Sequence, residues 1–161
     1  MFKPSTNIIR NGAAVAAIAV ASIVSAPAAS AGECPADKMK ANVRPIVDHK
    51  AVGVTDVTLG SINLEKQPAA IKDRELRFRK LTIEPGGVVP WHSHDDRPAL
   101  IFVQQGEIVE YASNCADPIV HKAGEIRPEV AGTSHWWKNL GEETVIHYVG
   151  DVRRDPHDKY M

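Results

Sequence analysis

The sequence predicts an all-β fold, a barrel or jelly roll, and three observations carry that prediction. Short runs rich in β-branched and apolar residues recur along the chain. Its 11 Gly and 11 Pro fall mostly between those runs and mark turns. Past the first thirty residues no long stretch keeps a helical period. Many short strands joined by Gly/Pro turns indicate a sandwich or a barrel. A closed antiparallel barrel also hides its sheet edges and leaves an interior that can hold a ligand.

The first 31 residues stand apart from that pattern. Lys3 and Arg10 give a positive start, residues 13–24 form an apolar run, and Ala29-Ser30-Ala31 is a small-x-small cleavage site before Gly32. These are the elements of a secretory signal peptide, with a run too short to span a membrane. A lipid anchor would need a small residue directly before Cys34, and Glu33 stands there. Cleavage after Ala31 leaves 130 residues, enough for one domain. We divide them into an N-terminal segment 32–50, a β-barrel domain 51–155 and a tail 156–161. The expected location is secreted or periplasmic, with no membrane partner once the signal is cleaved. Removing Lys3 and Arg10 leaves 17 basic against 20 acidic residues, a net charge of −3 with His neutral. That balance excludes nucleic acid as a partner driven by charge.

Taken in order, residues 36–47 admit one short helix. Residues 54–59 are a β-branched run, followed by Gly60-Ser61. Residues 76–83 alternate in part and stop at Glu84-Pro85-Gly86-Gly87, a strong turn signal. Residues 99–103 form an apolar strand ending near Gly106, and 108–111 follow almost at once. These two read as a hairpin turning at 104–107. Residues 119–121, 125–127 and 144–149 complete the set. Cys34 and Cys115 both follow the cleavage site, and two Cys in an oxidising compartment usually pair. Their disulfide would close a loop of about 80 residues, worth roughly 4 kcal/mol in the chain-entropy model, and pin the N-terminal segment to loop 112–118.

The chemistry concentrates in three histidines. His92-Ser93-His94 sits between Gly86 and Gly106, and His135 follows Gly124 and Gly132 and precedes Asn139. Two His one residue apart project to the same side of a strand. A third returning from a distant strand can close a trio of imidazoles, a natural cage for a divalent transition metal.

This spacing resembles the cupin superfamily, whose fold is a double-stranded β-helix of jelly-roll type. Its first motif runs Gly, five residues, His-x-His, three or four residues, Glu, six residues, Gly; its second runs Gly, five residues, Pro-x-Gly, two residues, His, three residues, Asn. Gly86, His92, His94 and Gly106 match the first, and Gly124, Gly132, His135 and Asn139 match the second. Two positions depart. The motif's Glu, usually a fourth metal ligand, falls on Ala99, or on Pro98 with the shorter spacing, and its Pro falls on Val130. The resemblance implies His92, His94 and His135 as metal ligands, with iron first and manganese, nickel, copper or zinc as alternatives. The lost carboxylate leaves three readings: a three-His centre, a replacement oxygen from Asp95, Asp96 or Glu110, or a barrel that binds without metal. The function implied is an oxidoreductase of dioxygenase type acting on a small organic molecule. The alternatives are a non-catalytic binding or sensing module and a metal-dependent isomerase or lyase. The resemblance also admits a homodimer.

Other residues carry two readings each. Trp91 and Trp137 are candidates to line a pocket, against simple packing; neighbours Trp136 and Trp137 point to opposite faces of an extended segment. Asp96 lies in the loop after the His pair and is a candidate for the mouth of the site. Arg79 could clamp a substrate carboxylate, although Arg77 and Arg79 with Lys80 and Glu75 read first as a solvated strand face. His147 and Tyr111 are the candidate acid/base groups. His121, His49 and His157 sit in polar or turn contexts and read as structural or exposed.

Overall fold

The computed structural model describes residues 32–47 and 50–154. The signal-peptide assignment, His49, His157 and the tail 156–161 lie outside the described residues. Eight strands follow in order: β1 (Val52–Asn63), β2 (Glu75–Ser93), β3 (Ala99–Gln105), β4 (Glu107–Ala112), β5 (Ile119–Lys122), β6 (Ile126–Glu129), β7 (Ser134–Lys138) and β8 (Val145–Arg153). The only helix among the described residues is one 3₁₀ turn, Ala36–Lys38, in place of the helix expected over 36–47. All the strand pairings are antiparallel.

The sheet curls because β2 belongs to both of its halves. Residues 75–83 of β2 pair with β8, which pairs onward with β3 and then β6. Residues 88–93 pair with β7, which pairs onward with β4 and then β5. The Glu-Pro-Gly-Gly segment read as a turn is therefore a bend within one 19-residue strand. Gly87 makes the bend: a Cβ there would lie 2.7 Å from the Glu84 carbonyl oxygen and 3.1 Å from that of Gly53.

The hairpin expected at 104–107 does not form. β3 pairs with β6 and β8, and β4 pairs with β5 and β7, so the chain crosses there from one half to the other. Gly106 takes φ +81, and a Cβ would meet Val145 Cγ2 at 2.9 Å. The tight glycine turn is as predicted, but it redirects the chain instead of folding it back.

Between the two halves lies a core of Leu81, Ile83, Val89, Ala99, Ile101, Ile108, Trp137, Val145 and Val149. The inner faces also carry charge. Arg77 and Arg79 are 5% and 3% exposed, which corrects their reading as a solvated face. Asp151 accepts from Arg77, with Nε at 2.9 Å, and Asp56 accepts from Arg79 Nη1 at 2.6 Å. Buried charges of this kind persist where partners are supplied. The partners stand on β8 and β1, far from the arginines in sequence but beside them in the sheet.

Cys34 and Cys115 form a disulfide with Cα atoms 5.8 Å apart. Around it Lys40 N–H donates to Asn114 O, Val43 N–H to Ser113 O and Ala116 N–H to Lys38 O. The segment is thereby stitched to the β4–β5 loop, as the cysteine positions predicted. The bridged residues are 81 apart in sequence, so removing the crosslink should lower stability by about 4 kcal/mol. Urea unfolding of the Cys34→Ser/Cys115→Ser double variant checks this. A midpoint equal to the parent's would mean that the crosslink constrains nothing.

Candidate metal centre

The three histidines meet inside the barrel, and an irregularity in β2 brings them there. Inward residues of β2 are odd-numbered through Val89. The register against β7 shifts between Val89 and His92, so His92 points inward and sits directly opposite His135. His94 follows just past the strand end. His92, His94 and His135 are 9%, 2% and 0% exposed. Nε2 of His135 lies 3.0 Å from Nε2 of His94 and 3.0 Å from Nε2 of His92.

Their other nitrogens define the tautomers. Nδ1 of His92 faces the Pro90 carbonyl oxygen at 2.9 Å, and Nδ1 of His94 faces that of Arg97 at 2.8 Å. Nδ1 of His135 faces Glu110 Oε1 at 2.7 Å. Carbonyl oxygens only accept, and an ionised carboxylate does the same, so each Nδ1 carries the hydrogen. In the neutral rings every Nε2 then offers a lone pair, and those lone pairs converge. Lone pairs at 3.0 Å repel unless a cation stands between them. Two nitrogens 3.0 Å apart, each about 2.1 Å from a shared ion, subtend about 90° at it. The donor set thus fits a divalent transition metal with the His135 nitrogen at about a right angle to each of the other two.

Behind His135 lies a cluster that the sequence reading reached only in part. Glu110, on β4, is fully buried and accepts from both His135 and His121 Nε2, the latter at 2.8 Å. Burial works against the Glu110 charge, but the hydrogen bonds from His121 and His135 outweigh it and hold the carboxyl well below the usual range. His121, read as structural or exposed, is 1% exposed and belongs to this cluster. Glu129 was missed. It pairs across strands with Ala99, where the motif's carboxylate is lacking, and its Oε1 lies 3.7 Å from His135 Nδ1. Burial and the neighbouring Glu110 charge push its carboxyl up, so it holds its proton above the usual carboxylate range. Arg127 Nε stands 3.5 Å from Glu110 and 3.4 Å from Glu129. Glu110, through its hydrogen bond to His135 Nδ1, orients the ring, and the Glu129 carboxyl stands beside that nitrogen at 3.7 Å. Among the described residues two groups have metal-binding spacing, the histidine trio and Glu110–Glu129–His135, and the arginine beside the second already supplies its positive charge.

The remaining candidates divide. Trp137 is 2% exposed and packs its ring against His121, His135 and His147. His147 is buried and lines a small cavity with Arg79, Trp137, His92 and His94. Trp91 is half-buried and turned outward by the same register shift, and lines an outer groove of about 310 Å³ with Arg44 and Ser134. Tyr111 lies on that outer side, stacked on Trp136 with centroids 4.1 Å apart. Asp96 is exposed and bound to Arg74 at 2.6 Å, while Asp95 accepts from Gly132 N–H at 2.7 Å. Neither aspartate joins the trio.

Burial lowers His92 and His94 first and the charges of neighbouring imidazoles second: His92 falls well below its ordinary value and His94 to about 3. Burial takes His147 to about 3. A buried neutral histidine withholds protons that the unfolded chain binds below pH 6.5. The metal-free protein should therefore lose stability as pH falls from about 6.5 toward 3, by up to about 1.4 kcal/mol per pH unit for each of His92, His94 and His147. Glu129 acts the other way above about pH 4.5, so the loss steepens below that point. Urea midpoints across this range check it, and a flat profile from pH 6.5 to 4 would contradict it.

A cupin domain family model matches residues 79–149, the span from β2 to β8 that carries all three histidines. No curated protein sequence matches the chain. Among solved structures, the cupin domain of Schizosaccharomyces pombe Cnp3 is similar at 16% identity and TM-score 0.49, over 66% of this chain and 65% of that one. A protein with a double-stranded β-helix domain from Klebsiella pneumoniae is similar at 22% identity and TM-score 0.49, over 71% and 85%. A recombinant oxalate oxidase in complex with glycolate is similar at 20% identity and TM-score 0.49, over 65% and 53%. The chain spans less than two thirds of the Cnp3 and oxalate oxidase chains.

Proposed function

We propose that this chain, whose residues 79–149 match a cupin domain model, is an exported metalloprotein of the cupin superfamily whose His92, His94 and His135 hold one divalent transition metal. The observation that carries this reading is the convergence of three Nε2 lone pairs whose Nδ1–H groups are all engaged elsewhere. Iron is the first choice of metal, with manganese, nickel, copper and zinc as alternatives. The Cys34–Cys115 disulfide supports export, because such bonds persist in oxidising compartments.

For activity we propose oxidoreductase chemistry of dioxygenase type on a small molecule. A bound metal with open positions supplies Lewis-acid polarisation and a template for the reactants. The chain's own part is to fix the imidazole tautomers, through Pro90, Arg97 and Glu110, and to exclude water by the walls of Leu81, Val89, Ile101 and Trp137. An isomerase or lyase would need a base at the site. His147 faces the cavity and Tyr111 does not. The scarcity of acid/base groups there favours, as second reading, a module that binds and does no chemistry. Oxygen uptake by the iron-loaded protein with catechols, flavonols and thiols tests the activity. Uptake with none of them, at full metal occupancy, would discard the oxidoreductase and leave the binding module.

A homodimer is part of the same proposal. The outer face of the β2–β8–β3–β6 half shows Phe78, Leu100, Phe102 and Ile126 at 38–64% exposure, and an apolar patch of this kind marks an interaction surface. A monomer in sedimentation at micromolar concentration would remove it.

A further inference from the structure

Gly32, the first described residue, lies against the cluster behind His135. It takes φ +87, a conformation that suits glycine. A Cβ added there would lie 2.8 Å from His121 Nδ1 and 2.8 Å from Glu125 Oε2. The disulfide at Cys34, two residues on, holds the segment in place. The Gly32 nitrogen is bonded to the same Cα as that Cβ, which places it within about 5 Å of both atoms.

Both neighbours are acceptors. His121 Nε2 lies 2.8 Å from Glu110 Oε2, and an ionised carboxylate only accepts, so Nε2 carries the hydrogen and Nδ1 of the neutral ring a lone pair. Glu125 Oε2 takes the Lys122 N–H at 3.1 Å and keeps room for a second donor. An amide at Gly32 offers these two acceptors one N–H and no charge. A free α-amino group carries its proton at pH 7, so it offers three N–H donors and a positive charge. Its nitrogen is also released from the peptide plane and can turn about the Cα–C bond toward them. The small-x-small site Ala29-Ser30-Ala31 leaves that group on Gly32.

We propose that cleavage after Ala31 makes the Gly32 α-ammonium a positioning group of the metal centre. It donates to Glu125 Oε2 and His121 Nδ1 and closes a hydrogen-bond chain that runs through His121 and Glu110 to His135. This rests on the export reading and on the three-histidine metal reading. The covalent step is hydrolysis by a signal peptidase: water gives its hydroxyl to the Ala31 carbonyl carbon and a hydrogen to the Gly32 nitrogen, and the amine then takes up a proton. The support behind His135 is complete only once the leader has gone, so the exported form binds metal more tightly than its precursor.

The test compares the chain beginning at Gly32 with the same chain keeping Ala31, each released from a fusion by a protease that leaves no extra residue. Acylation by an N-hydroxysuccinimide ester at pH 7, followed by peptide mapping, reads the terminal amine. The Gly32 form should react at least tenfold more slowly than the Ala31 form. Glu125→Gln, which keeps an acceptor for Lys122, should remove most of that difference. Cobalt(II) affinity, by competition with a coloured chelator, should be several-fold higher in the Gly32 form. Equal acylation rates in the two forms, or equal affinities where both bind one cobalt per chain, would overturn the proposal and leave the metal site standing. Cobalt bound by neither form would overturn the metal reading and the positioning role with it. Intact mass of the exported protein tests the remaining premise: a first residue other than Gly32 would overturn the cleavage site and this inference together.

Discussion

His135→Ala is expected to weaken metal binding by about 100-fold or more. His135 is the imidazole common to both 3.0 Å nitrogen contacts, and its removal leaves a two-histidine site. It also removes one of the two donors to the buried charge of Glu110. Glu110→Gln should act in the same direction and less strongly, by about 10- to 100-fold, because it changes only the partner that orients His135. Competition with a coloured chelator measures both. Equal affinity in His135→Ala and parent would mean that the trio holds no metal.

Asp151→Ala should cost about 3–5 kcal/mol of folding stability, the range for removing one partner of a buried ion pair. Asp151 is 1% exposed and serves Arg77 and Arg79 together. Burial opposes its charge, but the Arg77 hydrogen bond and the Arg79 and Arg77 charges outweigh it and hold the carboxyl below its ordinary value. Removing it leaves both guanidinium groups buried without their shared carboxylate. Urea unfolding reads the loss, and a change under 1 kcal/mol would show that water or another group takes over its role.

The fold class and the trio were legible because their signals are local. Strand runs, glycine turns and His-x-His spacing each depend on a few adjacent residues. What stayed hidden depends on pairing. The crossing at Gly106 uses the same short glycine turn that a hairpin would use, and only the partners of β3 and β4 distinguish them. Trp91 looked like a pocket residue because it adjoins His92, yet the shift after Val89 sends it outward. Arg77 and Arg79 looked solvated because the partners that neutralise them, Asp56 and Asp151, are 23 and 74 residues away. Glu129 lies just past the short run 125–127 and matches no motif position; its inward direction comes from pairing with Ala99. That pairing also explains how the lost carboxylate is tolerated. A glutamate at position 99 would face Glu129 on one side and Asp151 on the other, three buried acids on adjacent strands.

Inside the barrel, three imidazoles are expected to share one ion. Metal content of the mature protein, measured by inductively coupled plasma mass spectrometry after reloading and desalting, tests it most directly. One equivalent per chain is expected for the parent and none for His92→Ala/His135→Ala. A parent with no retained metal, or a double variant that retains as much, would contradict the claim.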